Sequence, residues 1–150
     1  MNQNWFFLLL AIIAGIATPI QAAINNKLTS FVEHPMIGVL VSFVVGTVAL
    51  YAYLLAVGIP LSNSIETLKN APLIAWTGGL LGVVYITSVI FCVPRLGVAL
   101  TFSLIIAGQM GVTLVIDHFG FLGVPVHSVN WQRVCGVVLI TLGVILVRRF

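Results

Sequence analysis

The chain has 150 residues, 61% hydrophobic and 6% charged, with six Lys or Arg against three Asp or Glu and a formal net charge of +3. A soluble domain carries roughly 25% charged residues, so this composition, with a mean hydropathy of +1.22, excludes one and identifies an integral membrane protein. The basic residues are scattered at helix ends, which excludes a nucleic-acid-binding surface and leaves them as orientation signals.

Each span takes about 20 residues, so five spans consume roughly 100 and leave only short connections. The expected fold class is an all-α integral membrane protein, one five-span membrane domain over residues 1–150 with no soluble domain.

Span one runs from about Trp5 to Lys27. Met1 to Trp5 holds no basic residue and the apolar run that follows is too long for a signal peptide, so this helix is expected to stay. Its second half, Thr18-Pro19-Ile20-Gln21-Ala22-Ala23-Ile24-Asn25-Asn26-Lys27, is unusually polar for lipid. Pro19 removes the donor for the carbonyl of Gly15, which predicts a kink or loosening. Thr18, Gln21 and Asn25 share one stripe with Ala11 and Ala14, and amides in lipid need a partner. This stripe faces either a cavity or another helix.

Thr29 to Pro35 turns the chain, with Pro35 well placed at a helix start. Span two, about 35–57, carries Gly38, Ser42 and Gly46 at four-residue spacing, a stripe that lets another helix approach closely. A loop with Pro60, Asn63, Glu66 and Lys69 leads to span three, about 72–92, with Trp76 as an interfacial anchor and Gly78 and Gly82 as a second close-packing pair. Tyr85 and Ser88, with Thr77, are either packing residues or a polar face.

Pro94-Arg95-Leu96-Gly97 reads as a four-residue return into span four, about 97–117. That span is the second polar face: Thr101, Gln109, Thr113 and Asp117 follow a four-residue rhythm, with Gly108 and Gly111 beside the glutamine. Asp117 is either a solvated cap, a pair for Arg133, or, if it faces a cavity, a proton or cation site. A Gly- and Pro-rich loop leads to span five, about 131–147, and the chain closes with Arg148-Arg149-Phe150.

Alternating sides through five spans puts Lys69 and Arg133 with the N terminus and Lys27, Arg95, Arg148 and Arg149 opposite, 2 against 4. The positive-inside rule then places the C terminus in the cytoplasm, but so small a bias is a weak instruction and leaves both orientations open. Two joined five-span units are necessarily inverted, and a single copy reaches the same symmetry by pairing with an oppositely inserted copy. The chain thus reads as half of an inverted-repeat transporter, completed as an antiparallel homodimer in the lipid bilayer.

No catalytic constellation is legible: no serine has His and acid partners at a recognisable spacing, no glycine loop matches a phosphate cradle, and no carboxylates pair. His34, His118 and His127 lack metal-ligand spacing, and Cys92 and Cys135 read as small buried hydrophobes, so neither cofactor nor metal is expected.

The runs TPIQAAINNKL, SFVVGT, WTGGLLGVVY and PRLGVAL, and above all GQMGVTLVIDHFGFLGVP, closely resemble the YdcZ-type five-span family of the drug/metabolite transporter superfamily. The resemblance covers nearly the whole chain. It implies a small bacterial inner-membrane transporter, often of dual topology and working as an antiparallel dimer, with no general substrate. It also puts Pro19, Gln21, Asn25, Gln109 and Asp117 at the family's motif positions. The small multidrug resistance exporters of the same superfamily are similar in size and pairing but carry a glutamate in their first span. Here that span has no acid, which argues against a multidrug-cation antiporter.

The expected function is a secondary transporter of a small organic solute, not an enzyme, with Thr18, Pro19, Gln21, Asn25, Tyr85, Gln109 and Thr113 as substrate-binding candidates. The alternative is a non-transporting membrane subunit whose polar faces assemble with another membrane protein.

Overall fold

A computed structural model describes residues 3–60 and 67–149. Within them the regular structure is helical: α1 (Gln3–Thr29), α2 (Pro35–Val57), α3 (Thr77–Leu96), α4 (Val98–Phe119) and α5 (Trp131–Arg149), with 3-10 turns at Leu73–Trp76 and Phe121–Gly123. All five long helices have the length and apolarity to cross a bilayer, in agreement with the five expected spans. The loop residues Asn63 and Glu66 and the terminal Phe150 lie outside the described residues. The chain divides into two compact units, Met1–Val93 and Pro94–Phe150.

In the first unit α1 is continuous through Pro19. The carbonyl that Pro19 deprives of its helical donor is that of Gly15, and the Thr18 hydroxyl donates to it at 3.0 Å. The carbonyl that loses its helical donor is thus met by the neighbouring side chain. At the end of α1, Asn26 Nδ2 donates to the carbonyl of Ala22, Thr29 Oγ1 to that of Asn26 and Ser30 Oγ to that of Lys27. Much of the polar segment thus satisfies helix carbonyls that lack an amide donor or share one.

His34 precedes α2 in extended backbone and its Nδ1 accepts the N–H of Met36 at 3.2 Å, with Pro35 in the first turn as expected. The two helices then meet where Asn25 faces Ser42 and Thr29 faces Gly38, and Ala22 of α1 and Val39 of α2 are buried. The approach is closest at Gly38, where an added Cβ would lie 2.6 Å from Thr29 Cγ2. At Gly46 the same stripe meets open space, so it is a seam at one end and a recess further along. Of the second glycine pair, Gly82 lies under the Phe43 ring, 3.6 Å from where its Cβ would be, while Gly78 has nothing near it.

In the second unit the expected four-residue return contracts to a single residue. The helix runs through Pro94 to Leu96, and Gly97, at φ 79° and ψ 163°, separates it from α4. That backbone conformation suits glycine alone. Helix α4 ends at Gly120, also at positive φ, where an added Cβ would lie 2.7 Å from Val126 Cγ2. Asn130 starts α5 by accepting the N–H of Arg133 on its side-chain oxygen at 2.9 Å.

Burial is sparse. Among the described residues the buried side chains are small or medium, including Ala22, Asn25, Val39, Thr101 and Val144, while Leu, Ile and Phe residues along every long helix are exposed. In hydrocarbon those surfaces carry little penalty, because lipid tails are as apolar as leucine.

Candidate functional site

The polar residues of the first unit divide between a packed seam and an open cleft. Asn25 belongs to the seam: it is 6% exposed, and its Oδ1 accepts the Ser42 hydroxyl at 3.0 Å. One turn earlier on the same stripe, Gln21 is exposed and lines a cleft of about 290 Å³ with Ser42, Phe43, Gly46, Thr47, Leu50 and Ile86. The missing side chain of Gly46 opens this space. The hydroxyls of Ser42 and Thr47 spend their protons on Asn25 Oδ1 and on the carbonyl of Phe43, at 3.0 and 2.8 Å. Their oxygens remain acceptors, and the Gln21 amide supplies both donors and an acceptor. The cleft is an uncharged hydrogen-bonding surface on an apolar bed.

Tyr85 is half-buried on α3 and does not line this cleft. Ser88 donates to the carbonyl of Val84 and Thr77 to that of Ile74, so both hydroxyls are bonded within their own helix or turn.

The polar stripe of α4 also divides. Thr101 is buried and donates to the carbonyl of Gly97 at 2.7 Å, and Thr113 donates to that of Met110 at 3.0 Å. Gln109 is exposed and its side chain makes no hydrogen bond to a described residue. Gly108 and Gly111 beside it meet nothing within 4 Å, so backbone and amide are laid bare on one stretch of helix.

Asp117 pairs with Arg133, the partner that sequence reasoning offered: Nη1 donates to Oδ2 at 3.1 Å, with both side chains about one-third exposed (35% and 32%). The same Nη1 donates to the carbonyl of His127 at 3.3 Å, the N–H of His127 donates to the carbonyl of Asp117 at 2.8 Å, and the N–H of Val129 donates to His118 Nδ1 at 3.3 Å. These bonds latch the α4–α5 loop onto the helix ends it joins. Beside the ion pair lies a second cleft, about 440 Å³, lined by Met110, Thr113, Leu114 and Asp117 of α4 and Arg133, Gly136, Val137 and Ile140 of α5.

The structure therefore brings Gln21 into one cleft and Thr113 with Asp117 into another. Thr18 and Asn25 serve the helix and the seam, Pro19 shapes α1 and lines neither cleft, and Gln109 stands open. Sequence reasoning missed Thr47 and Phe43 as lining residues, and Gly136, whose position three residues after Arg133 was the available signal. It read Ser42 only as a small packing residue.

No group of three or more His, Cys, Asp or Glu capable of holding a metal occurs among the described residues. Comparison with known proteins finds no match among curated proteins or solved structures. A family model described as "Putative inner membrane exporter, YdcZ" matches residues 6–146, nearly the full length. With five helices fit to cross a membrane, that match makes the chain a multi-pass inner-membrane protein of a transporter family rather than an enzyme family; it belongs to the YdcZ family of the drug/metabolite transporter superfamily.

Proposed function

We propose that the protein is a secondary exporter of a small organic solute, polar but uncharged or without net charge, working by alternating access as an antiparallel homodimer. The observation that carries the reading is the Gln21 cleft, an amide and two hydroxyl oxygens on an apolar bed with no charged lining residue. Pockets that bind small molecules have this make-up, mostly apolar with a few convergent polar groups. The absence of an acid from α1 speaks against a cationic drug as cargo.

Gln109 supports the dimer. An amide in hydrocarbon without a partner is costly, and here it sits on α4 between glycines that leave room for a close neighbour. A second copy in the opposite orientation supplies that neighbour and turns an odd number of spans into an inverted repeat.

The test is reconstitution. Purified protein in liposomes moves a small neutral solute, and Gln21→Ala and Gln109→Ala each abolish movement, with the Gln21 variant still dimeric by cross-linking. Failure of the parent to move any solute, together with loss of assembly in Gln109→Ala, would establish the alternative of a non-transporting subunit.

A further inference from the structure

The cleft between α4 and α5 pairs opposite charges with an apolar wall. Its α4 residues, Met110, Thr113, Leu114 and Asp117, and its α5 residues, Arg133, Gly136, Val137 and Ile140, follow the same spacing, three, then one, then three. Each set is therefore a single helix face. Gly136 opens the middle, since a Cβ there meets nothing within 4 Å.

The ion pair is only partly spent. Asp117 uses Oδ2 and Arg133 uses Nη1, which leaves Asp117 Oδ1 and the Nε and Nη2 donors of Arg133 without a partner among the described residues. Thr113 Oγ1 donates to Met110 and keeps its acceptor capacity. A negative acceptor and a planar positive donor thus lie side by side at one end, with Met110, Leu114, Val137 and Ile140 running away from them.

We infer that this cleft is a recognition site for a small zwitterion with an apolar side chain, of the α-amino-acid kind. Its ammonium group bonds Asp117 Oδ1 and Thr113 Oγ1, its carboxylate takes the free guanidinium donors of Arg133, and its side chain lies along Gly136 and Val137. A zwitterion adds both charges at once and leaves the existing pair balanced. A lone cation or anion would compete with one partner and strand the other, at the cost of an unpaired charge. Phospholipid headgroups such as phosphatidylethanolamine share this chemistry, but seven residues of helix span only about 10 Å, whereas an acyl chain crosses half of a hydrocarbon core about 30 Å thick. The cleft fits a short side chain better than a lipid tail.

The inference goes beyond the export reading above, which the Gln21 cleft carries, and rests on it only for the direction of use, since binding is measured separately. Isothermal titration of the purified protein with L-leucine is expected to give saturable binding, at least tenfold weaker for leucinamide, a cation, and for N-acetyl-leucine, an anion. Gly136→Leu, which fills the cleft without touching the ion pair, should abolish binding while helix content and dimerisation persist. Asp117→Asn and Arg133→Gln should each weaken it at least tenfold. Equal affinity for the three ligands, or leucine binding unchanged in Gly136→Leu, overturns the assignment. Nanodiscs with and without phosphatidylethanolamine separate the two sources of zwitterion: leucine binding alike in both supports the free solute, and protection of the cleft by the lipid alone overturns it. Movement of another solute through liposomes without leucine binding would sink this inference and leave the export reading standing.

Discussion

Thr18 and Pro19 act as a unit: the hydroxyl of one replaces the amide proton that the other lacks. Thr18→Val should therefore destabilise the protein by about 1 kcal/mol, the usual net worth of a hydrogen bond. In a Pro19→Ala background, where the backbone donor returns, the same change should cost almost nothing. Equilibrium unfolding in mixed micelles reads the difference, and equal costs in both backgrounds would refute the coupling. Gly38 sets a second residue-scale constraint. Its Cβ would collide with Thr29 Cγ2, so Gly38→Ala should cost about 1–3 kcal/mol, as overpacking does. Thr29→Ser removes the colliding methyl but keeps the hydroxyl that bonds Asn26, and should recover most of that loss in the double variant.

At the scale of elements, the α4–α5 loop is held by the Asp117–Arg133 pair and the backbone bond from His127 to Asp117. The pair is one-third exposed, so its contribution to global stability is at most about 1 kcal/mol. Its local effect is larger. Asp117→Asn should leave the unfolding midpoint nearly unchanged, within the spread of surface substitutions, yet raise hydrogen exchange at the His127 and Val129 amides several-fold. Unchanged exchange there would show that the loop holds without the latch. The helices themselves were legible, because apolar runs near 20 residues bounded by Pro35, Gly97 and Gly120 leave few alternatives. The division of the polar stripes was not. Thr101, Thr113 and Asn25 look like Gln109 in a sequence, and only local geometry shows which of them bond a nearby carbonyl, which face a second helix and which stand open. The replacement of the donor that Pro19 lacks was hidden for the same reason, since that bond depends on a side-chain torsion at Thr18.

At the scale of the whole molecule, counting sides by alternation along the sequence divides the basic residues 2 against 4, a weak instruction to the insertion machinery. Reporter tags at both termini should show both orientations in the same cell. Moving one or two charges, for example Lys27→Gln with Arg95→Gln, should shift the ratio strongly. A single orientation in the parent would refute pairing of identical copies in opposite senses, leaving room only for a second, oppositely inserted chain. The sparse burial described above also bears on calorimetry. A large heat-capacity change on unfolding comes from apolar surface passing from a dry core into water. Here the described long helices already present most of that surface to the surrounding phase, so unfolding within a micelle changes its environment little. The melting transition should then be shallow in heat capacity and should move with the chain length of the detergent, the solvent taking the part that a core plays in a soluble protein.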